Sequence, residues 1–312
     1  MYYAGLDIHK DMFYGTILNE KDEVVVQGEF PNNTKALEKF FTGFHPGITK
    51  AAIEATGCWR GYYKTLQTLG YKVVLANPIK AKERSNKKKT DKVDSKTLAE
   101  LLRTNFIPQV YIPTEEIMKL RDIARHRARI RRMDTKIKQT IKAYLLRDGI
   151  KCPKSIWNKE GLLWLESLGN PDIKNLIELH SSFTKQINEV TIRVTKISRN
   201  TETTRLLQTF PGIGYYGSVM IAAEIGDVNR FDSVKSLVMY AGLCPGIYQS
   251  ANTNRNVKQT ACNHWLKWIV YECSGRAAML NTKYTKHYYK LKQRKGRMVA
   301  RRSTARKIIV LY

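Results

Sequence analysis

A chain of 312 residues, 43% of them hydrophobic, can bury a core of its own, which excludes a disordered basic tail. Its 54 Lys+Arg stand against 27 Asp+Glu, a net charge of +27, and a folded protein of that balance takes a polyanion as partner, nucleic acid first. No 18-residue apolar run, no signal-peptide pattern and no Cys/His ligand spacing occur, so the reading is a reduced, cytosolic chain without membrane span, zinc site or disulfide framework.

Residues 2–8, 12–18 and 23–30 predict three strands joined by tight turns, an antiparallel meander. A helix over 34–44, a strand over 50–55, a helix over 59–69 and a strand over 71–76 follow, and Asn77-Pro78 opens a basic loop. With a further helix after residue 90, that is the element order of a ribonuclease-H-like α/β domain, placed here at 1–112. Four carboxylates fall where such a fold holds metal ligands. Asp7 breaks the apolar strand run Tyr2-Tyr3-Ala4-Gly5-Leu6-Asp7-Ile8, and Glu54 closes a second run, Ala51-Ala52-Ile53-Glu54. Asp91 and Asp94, three apart at the start of a helical pattern, face the same way. A half-buried carboxylate is costly without a partner. Mg²⁺ (or Mn²⁺), which takes hard oxygen donors, is the partner that strand ends and a helix face would hold for phosphoryl transfer. Glu54 also suits a surface position at a strand end, and Asp91 a charge on the first helical turn. Thr56 and Lys10 suit either substrate positioning or surface and capping roles. His9 reads as a packing or surface histidine rather than a ligand.

From about 115 to 147 the pattern is one long helix. Ile117, Leu120, Ala124, Ile130, Met133, Ile137, Ile141, Tyr144 and Leu145 mark its apolar stripe, and arginines including Arg125, Arg129 and Arg132 crowd the other faces. Phe183, Ile187, Val190, Val194 and Ile197 step by 4, 3, 4 and 3, the heptad period, so 113–200 reads as a helical coiled-coil region that forms an antiparallel hairpin or mediates dimerisation. The arginine run is either a solvated helix face or a surface for the phosphate backbone, and the excess of cation over acid favours the second.

A third region, 201–312, is predicted to be mostly α. Phe210-Pro211-Gly212-Ile213-Gly214 between two helical patterns reads as the hairpin of a helix-hairpin-helix element, in which Gly212 and Gly214 let backbone N–H groups approach a phosphate. Ser250 lies in a polar loop, and an aromatic helix holds Trp265 and Trp268. Beyond Glu272 no acidic residue occurs, while Lys290, Arg294 and Arg301 belong to a basic stretch interleaved with Tyr284, Tyr288 and Tyr289. Cations with aromatics suit RNA or single strands, unless the tyrosines are the buried face of a helix. The pattern stops mid-helix at Tyr312, as in a shortened version of a longer chain.

Together these stretches resemble the IS110 transposases, recombinases of insertion sequences guided by a bridge RNA. The N-terminal match lies in Gly5-Leu6-Asp7-Ile8-His9-Lys10, Ile53-Glu54-Ala55-Thr56-Gly57 and Lys89-Thr90-Asp91-Lys92-Val93-Asp94-Ser95, which looks like the family's RuvC-like DEDD domain. The C-terminal match lies in Pro211-Gly212-Ile213-Gly214, Ala241-Gly242-Leu243, Pro245 and Ser250, with Ala251 where the family pattern has Gly. The resemblance implies Asp7, Glu54, Asp91 and Asp94 as metal ligands and Ser250 as a nucleophile that forms a covalent phosphoserine link to DNA, in a composite site. It further implies double-stranded donor and target DNA, a structured guide RNA, a homodimer or homotetramer, and a bacterial or archaeal, nucleoid-associated location. Two rival readings differ in chemistry. A metal nuclease or junction resolvase would use water and keep full activity in Ser250→Ala, whereas a non-catalytic nucleic-acid-binding relative would be indifferent to Asp7→Asn.

Overall fold

The computed structural model describes residues 1–85, 90–153, 155–244, 246–250, 253–257 and 262–310, without the side chains of 85, 246–250 and 253–257. These fall into two compact units, Met1–Ile112 and Pro113–Tyr312.

The first unit is a mixed α/β layer structure. Its strands are β1 (Tyr2–Ile8), β2 (Met12–Leu18), β3 (Val24–Pro31), β4 (Thr49–Glu54) and β5 (Lys72–Ala76), in the spatial order β3-β2-β1-β4-β5. β1, β2 and β3 pair antiparallel, while β4 runs parallel to both β1 and β5. The helices are α1 (Thr34–Phe40), α2 (Trp59–Thr68), α3 (Pro78–Ser85) and α4 (Asp91–Arg103). The basic loop expected after Asn77-Pro78 is instead helix α3. Asn77 Oδ1 accepts from the N–H groups of Ile79 and Lys80 at 3.1 and 3.2 Å, and Pro78 takes the first helical position, where no N–H is needed.

Strand alternation decides which residues meet which helix. Ala4, Leu6 and Ile8 of β1, with Ala51 and Ile53 of β4, pack with Leu37, Phe40, Tyr62 and Leu66 of α1 and α2. The opposite parity therefore faces α4, where Ala52 packs with Leu98, Leu101 and Leu102. Gly5 lies on this second face. A Cβ there would fall 2.1 Å from the Ser95 carbonyl oxygen and 2.6 Å from the Ala99 nitrogen, so only glycine lets β1 and α4 come this close. Ser95 and Thr16, both fully buried, share a hydroxyl hydrogen bond of 2.8 Å that ties α4 to β2.

The second unit contains α5 (Glu115–Arg147), α6 (Lys159–Ser167), α7 (Pro171–Asn200), α8 (Glu202–Gln208), α9 (Tyr215–Ile225), α10 (Val234–Tyr240), a hairpin of β6 (Gly246–Ser250) and β7 (Thr253–Val257), then α11 (His264–Ala277), α12 (Lys283–Lys295) and α13 (Arg297–Ile309). α5 and α7 pack antiparallel: Arg127 Nε donates to Thr191 Oγ1 at 2.8 Å, and Asp134 Oδ1 meets His180 Nδ1 at 2.5 Å. The heptad residues Val190 and Val194 are buried in one core with Val219 and Ile221 of α9 and Val270 of α11. That stripe is thus used inside the chain, and the expected boundary at 200 does not divide two cores.

The apolar stripe expected on α5 needs one correction. Met133 is 51% exposed, and the buried residue at that turn is Asp134, 1% exposed. Its carboxylate is compensated by His180 at 2.5 Å and by Arg131 and Lys138 at 3.4 Å each. The tyrosines of the basic tail divide: Tyr284 and Tyr288 are packed inside, and Tyr289 is 49% exposed.

Candidate active site

A cavity of about 580 Å³ opens in the first unit at the C-terminal ends of β1 and β4 and the N-terminal end of α4. Asp7, Glu54, Asp91 and Asp94 all line it, as do His9, Lys10 and Thr56. Sheet register explains the convergence. β1 and β4 are parallel and pair Leu6 with Ile53, so Asp7 and Glu54 are the next residues on neighbouring strands, on the face turned to α4. Thr90 caps α4, its Oγ1 accepting from Val93 N–H at 3.2 Å, which fixes where the helix begins and places Asp91 and Asp94 in its first turn.

Burial and like charge dominate the electrostatics at Asp7. Asp7 is 8% exposed, and burial raises its carboxyl above the usual range; Asp91 and Asp94 raise it further, against a lowering by His9. The Oγ1 atoms of Thr56 and Thr97, both on the cavity lining, are buried with no hydrogen-bond partner. Crowded carboxylates with orphaned hydroxyls beside them fit a bound hard cation and its ligand shell better than they fit a packed protein interior.

His9, read from the sequence as a packing or surface histidine, is half exposed and borders the carboxylates. Its Nε2 lies 3.5 Å from Asp7 Oδ2 and 3.5 Å from Asp91 Oδ2. Asp7, His9 and Asp91 form the one group among the described residues whose ligand atoms all lie within 4.8 Å of one another. Glu54 and Asp94 stand outside this tightest group, on the same cavity wall. The signal available in the sequence was proximity: His9 follows Asp7 by two positions, just past the end of β1.

The residues read as nucleic-acid contacts also sort by environment. Arg125 donates from Nε and Nη2 to both oxygens of Glu224 at 2.7 Å, so this arginine serves a buried ion pair. Glu224 is fully buried and also accepts from Asn263 Nδ2 at 2.8 Å; sequence reasoning missed it because it closes an apolar helical run. Arg301 is likewise engaged, with Glu272 at 3.0 Å and the Tyr271 carbonyl at 3.1 Å. Arg129 and Arg132 are exposed and lie over the Trp265 ring at 6.0 and 4.4 Å, and Lys290 and Arg294 are exposed on α12. None of these four has a carboxylate partner among the described residues.

Gly212 and Gly214 occupy the turn between α8 and α9. Gly212 adopts φ +94°, and a Cβ there would lie 2.6 Å from both the Cys273 oxygen and the Ala277 nitrogen, so this glycine is required by contact with α11. Gly214, the N-cap of α9, has open space beside it. The backbone of Ser250 ends β6 opposite Thr253. Its side chain, and Ala251 after it, lie outside the described residues.

Residues 4–148 match a family model for the DEDD transposase domain of IS110. Residues 204–290 match a second model, the transposase IS116/IS110/IS902 family. The provisionally named transposase y4qE of Sinorhizobium fredii is 26% identical, over 69% of this chain and 55% of its own length. The transposase of IS1111A from Coxiella burnetii is 22% identical over 80% of this chain and 70% of the relative. That of IS1328 from Yersinia enterocolitica is 22% identical over 91% and 90%. The chain spans about 55–66% of the length of the first relatives it matches.

Proposed function

The chain belongs to the IS110 family of transposases, and on that premise we propose that it cuts and exchanges DNA strands as the transposase of an insertion sequence. The observation that carries this reading is the convergence of Asp7, Glu54, Asp91 and Asp94 on one cavity of a chain with net charge +27. The strand order β3-β2-β1-β4-β5, with β1, β4 and β5 parallel, supports a ribonuclease-H-like, RuvC-like assignment of the first unit.

In this reading Asp7, Glu54, Asp91 and Asp94 hold Mg²⁺ or Mn²⁺. Such an ion, when bound, supplies stabilisation of the charge that develops on a phosphate. The carboxylates fix its place, and Thr56 and Thr97 offer hydroxyls to the phosphate or to bound water. Ser250 is proposed as nucleophile: its oxygen bonds to phosphorus, the bridging oxygen of the cut strand leaves, and that oxygen takes up the serine proton. The product is a phosphoserine ester and a hydroxyl end. Attack by a new hydroxyl end reverses the step and joins a different strand without ATP, because the ester bond is conserved.

Further proposals concern the partners. Donor and target DNA are double-stranded, and a structured guide RNA selects the target. The α8–α9 turn serves as a helix-hairpin-helix contact through the open N-cap at Gly214. Arg129, Arg132, Lys290 and Arg294, exposed and without acidic partners, meet the phosphate backbone. The active form is a homodimer or homotetramer.

The test uses the gene with its native flanking DNA in a heterologous bacterium, with amplification across the circular junction of the excised element. A junction in wild type that disappears in both Asp7→Asn and Ser250→Ala is expected. Survival of the junction in Ser250→Ala would refute the serine as nucleophile and leave the carboxylates to direct attack by water.

A further inference from the structure

His9 has no established part in the chemistry proposed above, yet it sits closer to the carboxylates than a solvated histidine needs to. It follows directly on the end of β1, in the short connection to β2, and its side chain is half exposed. Its backbone is fixed from both sides. The His9 N–H donates to the Met12 carbonyl at 2.9 Å, and the His9 carbonyl accepts from Asn32 Nδ2 at 3.0 Å. The loop thus fixes the His9 backbone beside the carboxylates.

The distances distinguish two roles. Nε2 stands 3.5 Å from an oxygen of Asp7 and 3.5 Å from an oxygen of Asp91. That is the outer edge of hydrogen-bond range for each, where a strong charge-assisted bond would be near 2.7–2.9 Å. Donor atoms that share one small divalent ion are held apart by its ligand shell. At ligand distances of about 2.0–2.2 Å, adjacent donors of an octahedron lie about 2.8–3.1 Å apart and those of a tetrahedron about 3.3–3.6 Å. The 3.5 Å separations at His9 are within a small adjustment of a shared shell. One nitrogen equidistant from two carboxylate oxygens at this separation has the spacing of a coordination polyhedron. Asp7, Asp91 and His9 come from two different elements, so chain connectivity alone does not produce it.

We infer that His9 is a nitrogen ligand of the divalent ion held by Asp7 and Asp91, and that the site for this reason selects Mn²⁺ over Mg²⁺. The inference rests on the reading of the cavity as a cation site. Mg²⁺ takes oxygen donors and gives up its waters reluctantly, whereas imidazole raises the affinity of transition-metal ions. The remaining donors are carboxylates, and the cavity wall holds one cysteine, Cys58, which is exposed. An oxygen-rich set with one nitrogen suits Mn²⁺ better than the softer members of the series.

The experiment uses the full chain with Mn²⁺ alone as probe, without nucleic acid. Pulsed electron paramagnetic resonance of bound Mn²⁺ reads coupling to a directly ligated ¹⁴N, and titration against Mg²⁺ reads the preference. Wild type is expected to show the nitrogen coupling and to bind Mn²⁺ at least about tenfold more tightly than Mg²⁺, the scale on which single changes around a metal act. In His9→Ala the coupling disappears and the preference for Mn²⁺ over Mg²⁺ falls by about tenfold or more. Mn²⁺ bound in wild type without nitrogen coupling overturns the inference and leaves the carboxylate site standing. Nitrogen coupling that persists in both His9→Ala and Asp7→Asn belongs to another histidine and also overturns it. A wild-type chain that binds neither ion overturns the inference together with the cation site. His9→Gln keeps the polarity of the loop, so loss of the coupling there separates ligation from a folding defect.

Discussion

Asp7 carries a cost that the folded chain bears only because of where β1 ends. Its carboxyl is raised by burial and by Asp91 and Asp94, so the folded state holds that proton to higher pH than the unfolded chain does. The sign follows: below pH 3.8 both states are protonated, stability falls as pH rises from 3.8 through the folded value, and the loss persists above it. Asp7→Asn removes the loss. At pH 7 without divalent ion, Asp7→Asn is expected to be more stable than wild type by about 0.5–2 kcal/mol. With Mn²⁺ or Mg²⁺ at saturating concentration for wild type the order reverses, because wild type gains more binding free energy than Asp7→Asn. Thermal denaturation at both conditions checks this, and equal melting temperatures without ion would contradict the electrostatic account.

Between elements, the feature with the largest expected energy is the buried Glu224. It joins α9 to α5 through Arg125 and to the start of α11 through Asn263, whose own Oδ1 caps that helix by accepting from Trp265 and Leu266 at 3.0 Å. The Arg121 Nε lies 3.9 Å away, so removal of the carboxylate leaves two guanidinium groups and an amide without their anion. Glu224→Ala is expected to destabilise the second unit by about 3–5 kcal/mol, the range for breaking one side of a buried ion pair. Urea unfolding measures it. Arg125→Met with Glu224→Leu, which removes both members of the bidentate pair and leaves Arg121 on the Ala223 and Glu224 carbonyls, should recover part of the loss. A cost near 1 kcal/mol for Glu224→Ala would mean that water reaches the pair.

For the molecule as a whole, charge predicts a measurable salt law. If phosphates are met by the unpaired cations, log K for nucleic acid falls linearly with log salt, with a slope near −0.9 per duplex phosphate contacted and near −0.7 per single-strand phosphate. Lys290→Ala and Arg294→Ala should each flatten the slope by about 1, whereas Arg125→Ala should act through stability instead. Binding measured from about 50 to 200 mM salt gives the answer, and a flat response would remove the basic surface from the argument.

Much of this protein was determined by the sequence alone. Apolar strand runs broken by Asp7 and closed by Glu54, the i, i+3 spacing of Asp91 and Asp94, and the order of strands and helices are legible along the chain, and they pointed the four carboxylates to one place. The long helix α5 was equally legible, because an apolar stripe persists over 33 residues. Only the tertiary structure decided what depends on partners distant in sequence. It turned His9 back onto Asp7 and Asp91, gave Arg125 to a glutamate 99 positions away, buried Asp134 in place of Met133, and folded the heptad stripe into the chain's own core. A charge's role is set by its neighbours' fields and by its access to water, and neither is encoded in local spacing.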